Sequence, residues 1–262
     1  MENNYLKEDN ENQFKILNVP TLKSIKDIRN IFYINLSSRE DRKKNVEYEL
    51  EKLGLYNYQR FNAIKVSSGA IGCSMSHLKC LEIAKEKNYD HIFICEDDIQ
   101  FLDPELFTKQ LNSFLQKNHP WDVILVAGNN MLPYKKIDDV CIQVMHCQTT
   151  TGYIVKKHYY DTLINNYKNG IKKLMQNPDK SNLYAIDKYW LQLQQEGKWY
   201  LIIPLSVIQR ENYSDIEQKI MNYKSYMLNY DKCYAIESKI NLKKSNVSPS
   251  PSQISNVLPK IF

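Results

Sequence analysis

An α/β fold with a mostly parallel central sheet flanked by helices is predicted by three features of this sequence. Short apolar runs alternate with longer segments of helical periodicity, the pattern of strand, helix, strand repeats. Polar clusters stand directly after two of the apolar runs, where the loops of such a sheet meet helix starts. The 262 residues, 43% hydrophobic and 25% charged, suffice for one large domain with tails and exclude a wholly disordered chain.

The elements follow in order. Residues 1–28 form a polar leader with one apolar patch around Phe14, Ile16 and Leu17, expected to pack on a domain spanning 29–228. The first strand is Ile31 to Leu36. A helix from Glu40 to Leu53 is expected next, with Ser37 and Glu40 as a capping box, an apolar stripe at Val46, Leu50 and Leu53, and Gly54 as its stop. A second helix, about Ser74 to Lys87, sets Met75, Leu78 and Leu81 on one side and leads into the strand His91–Cys95, which ends at Glu96-Asp97-Asp98. Asp103-Pro104 supplies an N-cap and a first-turn proline for a third helix that buries Leu106, Leu111, Phe114 and Leu115. Val123–Val126 is a further buried strand. Strands near Cys141–Met145, Gly152–Val155 and Trp199–Ile203 and helices near 158–168 and 184–196, the latter closed by Gly197, complete the domain. The tail, 229–262, contains a Ser/Pro segment at 245–252 with little to bury, expected to be disordered.

Composition removes several functions. The 7 glycines form neither GxGxxG nor GxxxxGK, so glycine-rich dinucleotide and P-loop sites are excluded. The 6 cysteines contain no CxxC pair, so neither a disulfide framework nor a zinc cluster is expected. The histidines lack HExxH, and the net charge of +5 comes from lysines mixed with acids, so nothing specific supports nucleic-acid binding. No apolar stretch approaches the roughly 20 residues needed to span a bilayer, and Met1 to Tyr5 has no secretory pattern. A cytoplasmic location is expected.

The sharpest chemical feature is Glu96-Asp97-Asp98. Extended chain repeats every two residues, so Glu96 and Asp98 would face the same side and invite a hard cation, Mg²⁺ or Mn²⁺, with open positions for a diphosphate. A solvated acidic turn is the competing reading. The junction Asn35-Leu36-Ser37-Ser38-Arg39-Glu40-Asp41-Arg42 carries two arginines whose planar forks suit phosphate, or else simple surface charge at a helix start. Gly72-Cys73-Ser74-Met75-Ser76-His77 offers hydroxyls and an imidazole that either meet a ligand or cap a helix, with His77 read as a hydrogen-bonding residue rather than an acid/base catalyst.

Taken in order, these pieces resemble glycosyltransferase family 25, the lipopolysaccharide and collagen-type hexosyltransferases. The resemblance runs through Tyr33-Ile34-Asn35-Leu36 with Arg39, Asp41 and Arg42, then Arg60-Phe61-Asn62-Ala63, Gly72–Leu78 and Ile94–Ile99. It continues through Gly152–Val155, Ala185-Ile186-Asp187, Gln209-Arg210 and Ser214-Asp215-Ile216. It implies a GT-A nucleotide-sugar fold and inverting transfer of glucose or galactose from a UDP-sugar to an acceptor hydroxyl, assisted by Mn²⁺ or Mg²⁺. The acceptor would be a glycan, a lipid-linked glycan or a glycoprotein. By the same resemblance Asp98, with Glu96, would hold the metal, and Asp97 the ribose or the metal. Asn35, Leu36, Arg39, Arg42, Asn62, Ser76, His77, Gln209 and Arg210 would line the donor site, and Asp187 would be the base. A metal-dependent phosphohydrolase and a catalytically inactive glycan-binding module compete with this reading.

Overall fold

The computed structural model describes residues 22–214 and 219–233. The Phe14–Leu17 patch, Asp215-Ile216 and the Ser/Pro segment lie outside the described residues. A 3₁₀ turn at Ile25–Asp27 precedes β1 (Ile31–Asn35), α1 (Glu40–Lys52), β2 (Tyr58–Asn62), α2 (Gly69–Glu86), β3 (His91–Glu96), β4 (Ile99–Phe101) and α3 (Pro104–Gln116). There follow β5 (Val123–Leu125), β6 (Asn129–Asn130), β7 (Tyr134–Lys136), β8 (Cys141–Val144), β9 (Cys147–Gln148), β10 (Gly152–Lys156) and α4 (Tyr160–Gln176). The last elements are α5 (Ser181–Tyr184), α6 (Ile186–Tyr189), α7 (Leu191–Gln194), β11 (Trp199–Ile202), β12 (Val207–Gln209), β13 (Asn212–Ser214), β14 (Lys219–Met221) and α8 (Lys224–Met227).

Eight strands form the central sheet in the order β2-β1-β3-β10-β5-β11-β8-β7. Six point one way, and β10 and β8 run against them. β1 and β3 are apolar almost throughout because both faces of the sheet are covered. Strand alternation divides their side chains between two cores. Ile31, Tyr33, Phe93 and Cys95 pack with Val46 and Leu50 of α1 and Leu111 and Phe114 of α3. Phe32, Ile34, Ile92 and Ile94 pack on the other face with Leu81 of α2 and Leu163 and Tyr167 of α4. Ile25 and Ile28 join the first core, so this end of the leader is part of the packed body.

Several sequence expectations need correction. The N-cap position of α1 is held by Arg39, with no side-chain cap. Ser37 lies in a tight turn closed by the Arg39 N–H on Leu36 O at 2.9 Å, too early to cap. Asp103 does cap α3, accepting from Leu106 N–H at 2.9 Å, but Phe107 takes the buried place expected for Leu106. The single helix expected over 184–196 is two short ones, α6 and α7, and Ala185, with an extended backbone (ψ 152°), breaks the ladder between them and the preceding α5. Gly54 ends α1 as expected, with φ at +70°. Among the described residues no helix is long and apolar enough to cross a membrane.

Candidate active site

The parallel strands β2, β1 and β3 end together. Ile34 pairs with Glu96 across β1 and β3, and Asn35 with Asn62 across β1 and β2, so three carboxyl ends open onto one edge. The acidic triplet turns there from β3 into β4, and β12 pairs with β4 so that Gln209 stands opposite Ile99. Two cavities of about 410 and 460 Å³ flank the triplet. Arg42, Cys73, Glu96, Asp98 and Gln209 line both and form the wall between them. The larger is bounded by Leu36, Ala63, Ile64, Ser76 and His77, the smaller by Gln148, Thr149, Thr150 and Asp187.

The three carboxylates have different partners. Asp97 turns away from the shared wall and is clamped by Asn35 Nδ2 at 2.7 Å and Arg42 Nη1 at 2.9 Å. Asn35 is itself fixed by Arg60 Nε at 2.9 Å, so it is a buried brace that lines neither cavity. Glu96 accepts from the Thr150 hydroxyl at 2.6 Å, stands 3.2 Å from His77 Nε2 and receives the Cys73 thiol at 3.7 Å. Asp98 receives Gln209 Nε2 at 2.8 Å on one oxygen, while its Oδ1 is buried and has no partner among the described residues. The Arg210 N–H meets the Asp98 carbonyl at 2.6 Å and ties β12 to the triplet.

Electrostatics separates the three further. Burial pushes Asp98 up, and the neighbouring charges of Glu96 and Asp97 add to it, to about 7. Burial also raises Asp97, against the pull of Arg42. Burial opposes ionisation of Glu96 too, but the His77 contact and the Thr150 hydroxyl outweigh it and hold this carboxyl low. Glu96 is thus held low beside an aspartate whose ionisation is opposed by burial and by its two acidic neighbours, more than Arg42, with Nη1 3.7 Å from Asp98 Oδ2, offsets.

Asp187, in the first turn of α6, faces the smaller cavity, where it accepts the Thr149 N–H at 3.2 Å and lies 3.9 Å from Lys188 Nζ. Burial raises its pKa. Thr149 has φ at +74°, a strained setting for a β-branched residue that aims its N–H at the carboxylate. Lys188 is hydrogen-bonded to Gln148 on the same wall.

The other expected site residues divide. Leu36, Ser76 and His77 line the larger cavity, and Ser76 Oγ accepts from Ile64 N–H at 2.9 Å, holding the loop that closes it. Arg210 lines the smaller cavity with its guanidinium held by the buried Glu49 at 2.7 Å. Arg39 pairs with Asp41 and Asn212, and Asn62 is exposed at the end of β2; neither lines a cavity. Sequence reasoning missed Thr150, Gln148, Cys73 and Glu49. The run Thr149-Thr150-Thr151 between two apolar strands was the available signal for the first, and the Cys73, His77 spacing of four on a helix face for the third.

No curated protein matches the chain significantly. Among solved structures it is similar to the mannose-1-phosphate geranyltransferase of Thermus thermophilus (8% identity, 67% of this chain and 73% of that one, TM-score 0.40). It is also similar to a glycosyltransferase involved in glycosylation of the major capsid of PBCV-1 (12%, 66% and 91%, TM-score 0.36). A third is a Drosophila β-1,4-galactosyltransferase 7 in complex with manganese, UDP-Gal and xylobiose (9%, 84% and 82%, TM-score 0.34). Likenesses of this size say nothing about activity. The model of glycosyltransferase family 25 (LPS biosynthesis protein), by contrast, matches residues 65–236, from the wall of the larger cavity through the acidic triplet and Asp187 to α8. With about two thirds of its length inside that match, the chain belongs to glycosyltransferase family 25 and is a glycosyltransferase.

Proposed function

We propose that this glycosyltransferase moves a hexose, glucose or galactose, from a UDP-sugar to an acceptor hydroxyl with inversion, using Mn²⁺ or Mg²⁺. The observation that carries the reading is the unpartnered, buried Oδ1 of Asp98 at the wall between two cavities. A hard, oxygen-rich cluster whose aspartate resists ionisation fits a divalent cation of this class. Bound at Asp98, with Glu96, such a cation offsets the charge that develops on the UDP leaving group.

The chain's own residues then divide the work. Arg42 and Asn35 hold Asp97 aside and rigid, and Gln209 fixes the rotamer of Asp98. The larger cavity, with Leu36 and Ile64 as apolar walls and Ser76 and His77 at its base, takes the nucleoside. Sugar and acceptor occupy the smaller one. There Asp187 accepts the acceptor's hydroxyl proton, and its raised pKa strengthens it as a base. Residues 29–228 form the catalytic domain in this reading, working in the cytoplasm on a glycan, lipid-linked glycan or glycoprotein.

The test is UDP release from a panel of UDP-sugars with and without Mn²⁺, in wild type and Asp98→Ala. Release from one UDP-hexose that needs the metal and disappears in the variant is expected. Phosphate release from simple phosphoesters, with no uridine preference, would replace this reading by the phosphohydrolase. Uridine-selective binding without turnover on any acceptor would indicate an inactive binding module.

A further inference from the structure

The His/Cys/Asp/Glu groups of the site contain a second donor set, chemically unlike the aspartates. Cys73 and His77 lie four residues apart on α2 and so share one helix face, which is turned to the end of β3. The Cys73 Sγ, a His77 ring nitrogen and a Glu96 oxygen all lie within 4.8 Å of one another. Two of the separations are 3.7 Å for Sγ to Oε1 and 3.2 Å for Nε2 to Oε1. A tetrahedral zinc ion with Zn–S near 2.3 Å and Zn–N or Zn–O near 2.0–2.1 Å sets its ligand atoms roughly 3.3–3.6 Å apart. Both separations fall within a few tenths of an ångström of that range, and the third, Sγ to imidazole nitrogen, is no more than 4.8 Å, so small side-chain shifts bring the three groups onto one cation.

The surroundings complete the site. A metal-bound imidazole needs a partner for its other ring nitrogen. His77 Nδ1 lies 2.8 Å from the Tyr153 hydroxyl, which in turn meets Tyr167 OH at 3.3 Å in the sealed core. That pair of hydroxyls reverses its hydrogen bonds without moving a heavy atom. An Nδ1–H donated to Tyr153 would leave Nε2, the nitrogen that faces Glu96, to a cation. Cys73 borders both cavities, so a cation would have a path to it from solvent.

We propose that Cys73, His77 and Glu96 form a binding site for a soft divalent cation of the zinc class, which shares Glu96 with the hard-cation position at Asp98 and adds a thiolate and an imidazole of its own. Binding forms Zn–S, Zn–N and Zn–O bonds and displaces metal-bound water. The Cys73 thiol proton leaves to buffer, and no oxidant or reductant is needed. On the reading proposed above, in which Glu96 helps Asp98 hold the hard cation, occupancy withdraws Glu96 from the donor site and the soft cation acts as an inhibitor. The other such cluster among the described residues, His119, Asp138 and Cys141, is already filled: Lys117 Nζ sits on Asp138 Oδ2 at 2.8 Å, and two backbone N–H groups occupy Oδ1.

The test uses the full chain, stripped of metal and kept reduced, titrated with Co²⁺. A thiolate-to-cobalt charge-transfer absorption that saturates at one equivalent and is displaced by Zn²⁺ is expected. It should vanish in Cys73→Ser and persist in Cys141→Ser. No such band, or an undiminished band in Cys73→Ser, overturns the proposal. Should Cys73→Ser fail to fold, wild type decides the matter by alkylation with and without Zn²⁺, read peptide by peptide. Labelling of Cys73 should fall at least tenfold with zinc while the exposed Cys233 labels unchanged; an unchanged rate at Cys73 overturns the site. No sugar or turnover assay enters, so failure here leaves the donor assignment standing, and failure of that assignment leaves this site standing.

Discussion

The Arg42 guanidinium meets the Asp97 carboxylate at 2.9 Å, with 11% and 10% of the two side chains exposed. A second arm of the same fork reaches the Tyr213 carbonyl at 2.7 Å, so one arginine fastens the β13 segment to the acidic turn. Arg42→Ala would leave Asp97 buried without a counter-charge, a defect that costs about 3–5 kcal/mol. Urea denaturation should show that loss. Arg42→Lys should recover only part of it, because a point charge cannot hold the carboxylate and the carbonyl together.

Asp98 carries the opposite kind of strain. Its carboxylate is disfavoured by burial and by Glu96 and Asp97. The raised folded pKa, about 7 against an ordinary value of 3.8, means that its contribution to stability is greatest below the unfolded pKa and is lost as pH rises towards and through 7. Asp98→Asn keeps an oxygen for Gln209 and removes the charge. In metal-free buffer at pH 8 the variant should melt about 2–4 °C above wild type, a gain of about 1 kcal/mol, while losing metal-dependent UDP release. Equal melting points at pH 8 would remove the argument from repulsion.

How much of this was legible in the chain depends on the range of each interaction. The strand His91–Glu96, the α1 stripe and the Asp103 cap rest on neighbours within a few residues, and local pattern finds such features. The acidic triplet and Asp187 stood out by residue type. Their partners did not: Thr150 reaches Glu96 across 54 positions, and Glu49 holds Arg210 across 161. The break at Ala185 was hidden for another reason, since periodicity records which face is apolar and carries no backbone torsion. Only the family resemblance joined Gln209 to the triplet before the sheet did.

Gly152 shows how tightly β10 closes the floor of the site. A Cβ placed there would sit 2.5 Å from Val126 Cγ2 and 2.9 Å from Ile99 Cδ1, both in the core beneath the acidic turn. Gly152→Ala should therefore cost about 1–3 kcal/mol by overpacking. The displaced Ile99 adjoins Asp98, so metal-dependent turnover should fall as well; a variant with wild-type melting would show that this core yields freely.

Asp138 sets the acid limb of stability. Burial opposes its charge, but Lys117, the Val140 and Cys141 N–H groups and His119 more than compensate, and its pKa is driven well below the ordinary value of 3.8. Because the folded pKa is depressed, the stabilisation is complete above the unfolded value and fades as pH falls below about 4 towards the folded one. Asp138→Asn should cost about 2 kcal/mol at pH 7 and progressively less in acid, as followed by denaturant midpoints across that window.

Asp187 offers the sharpest separation of binding from chemistry. Its oxygen receives the Thr149 N–H at 3.2 Å, an interaction that Asp187→Asn can preserve through the amide oxygen, so the strained Thr149 turn should survive the change. What the amide cannot do is accept the acceptor's proton. Turnover should fall by about 10²–10⁴-fold, while UDP affinity, measured by calorimetry in the presence of Mn²⁺, should stay within about twofold. Loss of UDP affinity in parallel with turnover would move Asp187 from base to donor contact. The smaller cavity would then hold the nucleotide, and the base would have to be sought among the groups lining the larger one.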